Sequence, residues 1–528
     1  MITPRTPPAA WRTCAREVWL PTASEMADFD RRAVESGATT ERALIESAGR
    51  ELAHRVQFHF PTGTVTALTG AGHNGADALV AARTLAAWGR PVRLVRVTDR
   101  PVDPDVLSGW DFPLESAERF MASPSSDGVI LDGILGTGLR GPPREPAASL
   151  IGRISDLDLP IVAVDGPSGA CLESGAVPGV CVRADLTVTF GWPKLGLLRF
   201  PARERAGLIE SVEIGFPPSG TGFNARAITG RWVRDLLAAR PADAHKGKAG
   251  YVTVVAGRRG MAGAAVLAVR AAMRGGAGIV RAVSDPENRE VLQVSAPGAV
   301  FVGWDDPQQV REAIEWAGAL AVGPGLGRDE GAKKLVAQIF EGRGHRPMVL
   351  DADGLSLWEG DLDRLADLLR TDDVITPHPG ELARILGREI EAISGDPPAH
   401  AREASERFGC TVVLKGAPTL VASGDLPLLV TTVGGPALAA GGTGDVLTGL
   451  VTALLAAGSS ARPAAASALF LSGLAAEMGG YPVGHVAEDV PDRLSSIRRE
   501  IERLEGDGVG PVNFVSASPG KPGGGLLP

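Results

Sequence analysis

The side chains best placed to do chemistry are carboxylates, hydroxyls and a histidine set directly beside glycines. In the run AGGTGDVLTGL at 440–450, Gly441, Gly442 and Gly444 allow successive backbone N–H groups to turn toward one anion, and Asp445 falls in the first turn of the helix that follows. An aspartate there is also a good cap. A cap alone does not call for so many glycines, so the pattern Gly442-Thr443-Gly444-Asp445 reads as an anion hole with a base beside it. Upstream, Lys415-Gly416-Ala417-Pro418-Thr419 offers a lysine and backbone amides to nucleotide phosphates; the structural alternative is a hairpin turn. His378 lies between Pro377 and Pro379, which hold it rigidly and favour a positioning role.

The first half carries a second group of such residues. GAGHNGAD at 70–77 contains His73, Asn74, Gly75, Ala76 and Asp77 and satisfies G-x-G-x-x-G, with Asp99 a possible ribose ligand, so a dinucleotide-binding dehydrogenase is one open reading. Asp132 is followed by Gly136, Thr137, Gly138, Leu139 and Arg140, and Asp165 by Gly166-Pro167-Ser168. A lone carboxylate after a strand is usually a cap or turn former. Three polar strand ends in one sheet instead place Asn74, Asp77, Asp132, Thr137, Asp165 and Ser168 around one crevice. Their amide, hydroxyl and carboxylate oxygens suit a hard cation, and the glycines let backbone approach a phosphate-bearing ligand.

Such residues need strands to carry them to a common edge. Short β-branched runs alternate with glycine loops and Ala/Leu-rich helical stretches, the pattern of βαβ units on parallel sheets. The spacing predicts strands over 64–68, 92–97, 129–131, 161–164 and 186–190, then over 251–255, 279–283, 319–322, 348–350, 374–376 and 411–414. At 528 residues the chain exceeds the usual domain of roughly 100–200 residues, so two cores are expected. The boundary is predicted within 217–245, with domains over 19–222 and 230–504 and a disordered tail over 505–528. A net charge of -9 argues against nucleic acid as a partner, which needs a basic face. The most apolar stretch, 449–471, is broken by Gly458, Ser459, Ser460, Arg462 and Pro463, so no membrane span is expected. Four cysteines without C-x-x-C spacing point to a reducing cytoplasm.

The loops at 70–77, 132–138 and 165–169, with the opening stretch 21–48, resemble the N-terminal domain of the YjeF-type NAD(P)HX epimerases over about 20–220. The resemblance implies a Rossmann-like αβα sandwich, with Asn74, Asp132 and Ser168 as potassium ligands. It puts His73 to Asp77, Gly136 to Arg140 and Asp165 around a hydrated nicotinamide nucleotide, and Asp165 as acid/base. The departures are His73 for an asparagine and Ala76 and Ala78 for glycines. Over 230–500, His245-Lys246-Gly247, Gly263-Ala264, Gly323-Pro324-Gly325-Leu326-Gly327, Asp351-Ala352-Asp353, Thr376 to Glu381, Leu414-Lys415-Gly416 and Gly441 to Asp445 resemble, in order, the ribokinase-like ADP-dependent NAD(P)HX dehydratases. This second resemblance implies Ala264, Gly325 and His378 against the hydrate, Lys415 to Thr419 and Gly442 to Gly444 against ADP or AMP, and Asp445 as catalytic base. It also implies magnesium on the nucleotide and ADP as co-substrate. The expected partners are NAD(P)H hydrates and ADP, in a homo-oligomer. The alternatives are a ribokinase-like small-molecule kinase and, for the first half, a non-catalytic nucleotide-binding module.

Overall fold

The computed structural model describes residues 17–98, 104–217, 222–237, 243, 246–247, 249–479, 483–504 and 512–514. His245, Asp99 and most of the tail lie outside them. The chain divides into two compact units, residues 1–226 with 507–528, and residues 227–506. Both are α/β.

The first unit opens with two helices, α1 (Ala23–Glu35) and α2 (Glu41–His59). Thr22 starts α1 through a capping box: its hydroxyl accepts from the Glu25 amide, and the Glu25 carboxylate accepts from the Thr22 amide. The strands β1 (Val65–Thr69), β2 (Val92–Arg96), β3 (Leu114–Ser116), β4 (Val129–Gly133), β5 (Ile161–Val164), β6 (Leu186–Phe190) and β7 (Leu208–Val212) are parallel. Spatially they run β7-β6-β5-β4-β1-β2-β3. Since β2 and β4 flank β1 on opposite sides, the strand order reverses between β1 and β4, where open α/β sheets form their ligand crevice. α3 (His73–Ala87) follows β1 and is buried from Asn74 through Ala82, which explains its alanine-rich, weakly amphipathic sequence.

The second unit carries, with β8 (Ala225–Ala227) spanning its boundary, β9 (Tyr251–Val255), β10 (Ile279–Ser284), β11 (Val300–Gly303), β12 (Ala319–Val322), β13 (Met348–Leu350), β14 (Val374–Ile375), β15 (Thr411–Leu414), β16 (Leu420–Ala422) and β17 (Leu428–Val430). Its sheet runs β11-β10-β9-β12-β13-β14-β15-β16-β17-β8. The strands from β11 to β15 are parallel, and β15-β16-β17 form an antiparallel meander. Here the order reverses between β9 and β12.

One sequence expectation fails. Within the tail, predicted to be disordered, β18 (Val512–Phe514) pairs antiparallel with β7 in the first unit's sheet. The outer edge of β7 would otherwise present unpaired N–H and C=O groups, and three residues of extended chain satisfy them despite the glycine- and proline-rich sequence around.

Candidate active sites

In the first unit the β-register sets the geometry. Leu68 of β1 pairs with Asp132 of β4, Asp132 with Ala163 of β5, and Val164 with Val188 of β6, so the polar residues just past each strand share one edge. Asp132 is fully buried. Its carboxylate accepts from the Ser168 amide (2.8 Å), the Ser168 hydroxyl (2.6 Å) and the Ile134 amide (3.4 Å). Burial nevertheless raises its carboxyl to about 6, and among the described residues no cationic side chain opposes that shift. Asn74 donates through Nδ2 to the Val164 carbonyl (2.5 Å), and its Oδ1 lies where a side chain at Gly136 would meet it at 2.6 Å. Glycine at 136 is thus a requirement of close approach. Asp132 and Ser168 are thus bonded to each other, and Asn74 reaches the same strand edge through the Val164 carbonyl.

Asp165 holds a left-handed backbone conformation, φ 62°, rare for a non-glycine residue. That turn aims its carboxylate back over the sheet, where Oδ1 accepts from Lys194 Nζ (2.5 Å), the Thr189 hydroxyl (2.8 Å) and the Phe190 amide (3.1 Å). Lys194 is 2% exposed, and its remaining bonds go to Thr189 and the Phe190 carbonyl.

Asp165 and Lys194 line a cavity of about 430 Å³ with Asn74, Asp77, Thr137 and Asp30. Met26, Phe190 and Phe216 supply apolar wall. Burial first, then the charge of Asp165, pushes the Asp77 carboxyl well above the usual range. His73 stands at the mouth, 2.6 Å from Glu41 and largely exposed. Gly138, Leu139 and Arg140 continue the loop after Thr137, and Arg140 lies 3.7 Å from Glu173. Ala76 and Ala78 occupy ordinary helical positions inside α3, and neither has positive φ. The two departures from the glycine-rich turn therefore cost no strain.

Among the cavity residues that escaped the sequence reading are Lys194 and Asp30. Lys194 sits in the apolar run Trp192-Pro193-Lys194-Leu195-Gly196-Leu197, where a lysine demands a buried partner. Asp30 lies one turn after Met26 on the inward stripe of α1, an acid in line with apolar residues.

In the second unit Val322 of β12 pairs with both Val255 and Leu350, and Leu350 with Ile375, which aligns Gly323, Asp351 and Thr376 on one edge. Asp351, 1% exposed, accepts from Lys415 Nζ (2.8 Å) and from the Thr448 hydroxyl (2.8 Å). Burial opposes the charge on Lys415, but Asp351 and then Glu381 outweigh it and raise the ammonium's pKa. A side chain at Gly444 would lie 3.5 Å from Lys415 Nζ and 3.6 Å from Asp351 Oδ2. The glycine run and the lysine loop therefore meet. Asp445 is at the third position of helix Thr443–Ala456, whose N-cap is Gly442 at φ 91°, and no side chain caps that end. So Asp445 is not spent on capping. Burial, then the charges of Asp351 and Asp353, raises its carboxyl to about 7 against the pull of Lys415.

Gly416 to Thr419 form the β15–β16 turn, with the Thr419 hydroxyl bonded to Gly416, so hairpin and lysine loop are one segment. His378 caps helix Pro379–Leu386: its Nδ1 accepts from the Gly380 and Glu381 amides, and Glu381 returns a bond to the His378 amide. Burial, opposed by Glu381 and aided by Lys415, lowers the imidazole's pKa and keeps it neutral. At the β9/β12 reversal the loops interlock. Arg258 N donates to Gly325 O (2.7 Å), and a side chain at Gly325 (φ 56°) would press on Ala264 at 3.0 Å.

Comparison with known proteins covers both units. A family model described as NAD(P)H-hydrate dehydratase matches residues 252–494, and one described as YjeF-related protein N-terminus matches residues 41–196. The chain is 36% identical over 526 residues to a bifunctional NAD(P)H-hydrate repair enzyme of Salinibacter ruber, covering 91% of this chain and 96% of the relative. It is 35% identical over 439 residues to one from Escherichia coli K12, covering 82% and 84%. Among solved structures, the ADP/ATP-dependent NAD(P)H-hydrate dehydratase of Bacillus subtilis, co-crystallized with ATP and Mg2+, aligns at 28% identity and TM-score 0.46, over 52% of this chain and 98% of that one.

Proposed function

The chain belongs to the family of bifunctional NAD(P)H-hydrate repair enzymes, and on that premise we propose that its two units divide one repair between them. The first interconverts the R and S hydrates of NADH or NADPH. The second removes water from the S hydrate with ADP, releasing AMP and phosphate.

The observation that carries the second assignment is Asp445, an uncapped carboxylate at a glycine-built helix start whose proton affinity is tuned to about 7. A general base works best with a pKa near the working pH. In this reading Asp445 takes the proton from the ring hydroxyl as that oxygen attacks the terminal phosphoryl of ADP. Phosphate then leaves with the oxygen as the ring nitrogen's lone pair forms an iminium, and the neighbouring carbon gives up a proton to water as the ring double bond re-forms. The amides of Gly442, Thr443 and Gly444 face the transferred group, support worth a few kcal/mol in comparable anion holes. Lys415, Gly416, Ala417, Pro418 and Thr419 hold the nucleotide phosphates, while Ala264, Gly325 and His378 border the hydrated ring. Magnesium would travel with the nucleotide, whose phosphate oxygens are the hard donors it prefers.

In the first unit His73, Asn74, Gly75, Ala76, Asp77 and the loop Gly136-Thr137-Gly138-Leu139-Arg140 surround the substrate, with Asp165 as acid/base. Asn74, Asp132 and Ser168 fit a potassium ion. Each can offer an oxygen, and among the described residues the buried Asp132 carboxylate has no ion-pair partner, a counter-charge such an ion would supply. Bound there, it would anchor the ligand's phosphates beside the cavity.

The decisive experiment incubates purified protein with hydrated NADH, ADP and magnesium and follows the reduced-nicotinamide absorbance together with phosphate and AMP. Recovered absorbance with equimolar phosphate is expected. A stable phosphorylated product would move the assignment to a small-molecule kinase.

A further inference from the structure

Epimerising a carbon that carries a hydroxyl beside a ring nitrogen needs two proton transfers. The C–O bond breaks as its oxygen takes a proton and leaves as water, and the nitrogen lone pair forms a C=N iminium. Water then adds to the other face, re-forming a C–O bond, and gives up a proton. Atoms and charge balance with no oxidant or reductant, but a donor and an acceptor must both reach the cavity. Asp165 is one of them: every hydrogen bond its carboxylate accepts falls on Oδ1, leaving Oδ2 without a donor among the described residues.

The second candidate comes from a different element. Asp30 is carried into the cavity by α1, which the aromatic contacts of Phe29 with Trp192 (5.1 Å) and Phe216 (5.3 Å) fix in place. Asp30 Oδ1 is buried and has no hydrogen-bond partner, a costly condition for a carboxyl unless a ligand completes it. We propose that Asp30 is the second proton-transfer residue of the first unit, working with Asp165 on the hydroxyl-bearing carbon of the bound hydrate. This rests on the epimerase reading of that cavity.

The groups facing Asp30 are consistent with the role. Burial raises its carboxyl to about 6; Lys194 opposes the shift, Asp165 adds to it and His73 opposes it. Asp77 on α3 faces the same groups, and Glu41 of α2 is paired to His73. Asp165 is ion-paired to Lys194, whereas Asp30 exchanges its proton near neutrality. Two carboxyls held in different environments supply an acid and a base in one pocket.

The test uses the full chain with Asp30→Asn and Asp30→Glu, following R/S interconversion without ADP by chromatography from pH 5 to 8. Asp30→Asn should lower the epimerisation kcat by about 100-fold or more, with KM changed less than about 3-fold, and should abolish the limb of the pH profile near 6. Asp30→Glu should recover part of the rate, which a merely unfolded unit would not do. A kcat for Asp30→Asn within about 3-fold of the parent, or an unaltered limb, overturns the proposal. Inversion in 18O water without label in the product overturns it as well. If the parent chain itself fails to interconvert the hydrates, the epimerase reading falls, and this assignment with it.

Discussion

In the proposed reactions Asp445 and Asp165 are both proton-transfer residues, and each makes a prediction at its own position. Asp445→Asn keeps the shape of the helix start but removes the base. ADP-dependent recovery of NADH should fall by about three orders of magnitude or more, while nucleotide binding by calorimetry changes little; near-normal turnover would exclude the role. Because burial lifts Asp445 to about 7, the active, deprotonated form is gained as pH rises. The kcat/KM for dehydration should climb about tenfold per pH unit below 7 and level off above it, and a flat profile from pH 5.5 to 8 would contradict this. Lys194→Met would leave the Asp165 charge buried without its cation, costing about 3 kcal/mol and lowering the first unit's melting temperature by several degrees. Glycine-flanked carboxylates were legible from the sequence because the glycines announce them. Asp30 and Lys194 were not: each reaches the cavity from a segment with no signature of its own, and only tertiary packing puts them beside Asp165.

Among elements, the parallel strands were the most readable part of the fold. Buried on both faces, they appear as short runs rich in β-branched residues such as Ile161–Val164 and Tyr251–Val255, whose bounds match the expectation. The outer strands were missed. Leu114–Ser116 and Leu428–Val430 are three residues long, too short for alternation or hydrophobicity to register. Helix Thr443–Ala456 shows why its glycines matter beyond the anion hole. A side chain at Gly449 would lie 2.0 Å from the Ala268 carbonyl of helix Ala262–Gly275, so Gly449→Ala should force the two helices apart. We expect a loss of about 1–3 kcal/mol in urea unfolding and a weaker nucleotide affinity, since the same helix presents Gly444 and Asp445.

At the scale of the whole molecule, each unit gathers its polar residues along the carboxyl ends of its own sheet's strands, after β1, β4 and β5 in one and after β12 to β15 in the other. The chemistries are therefore separable. With a mixture of R and S hydrates, the parent should consume both, Asp165→Asn should consume the S form and then slow to the spontaneous epimerisation rate, and Asp445→Asn should equilibrate the two without restoring NADH. Complete and rapid consumption by Asp165→Asn would remove the need for an epimerase.

The strand Val512–Phe514 has a consequence in time. It completes the edge of β7, yet it is translated after every residue of the second unit. At roughly 5–20 residues per second, the nascent first unit waits on the order of half a minute with that edge open. A message truncated shortly after residue 504 would leave it open permanently, and such a product should associate in sedimentation to species larger than those of the full chain.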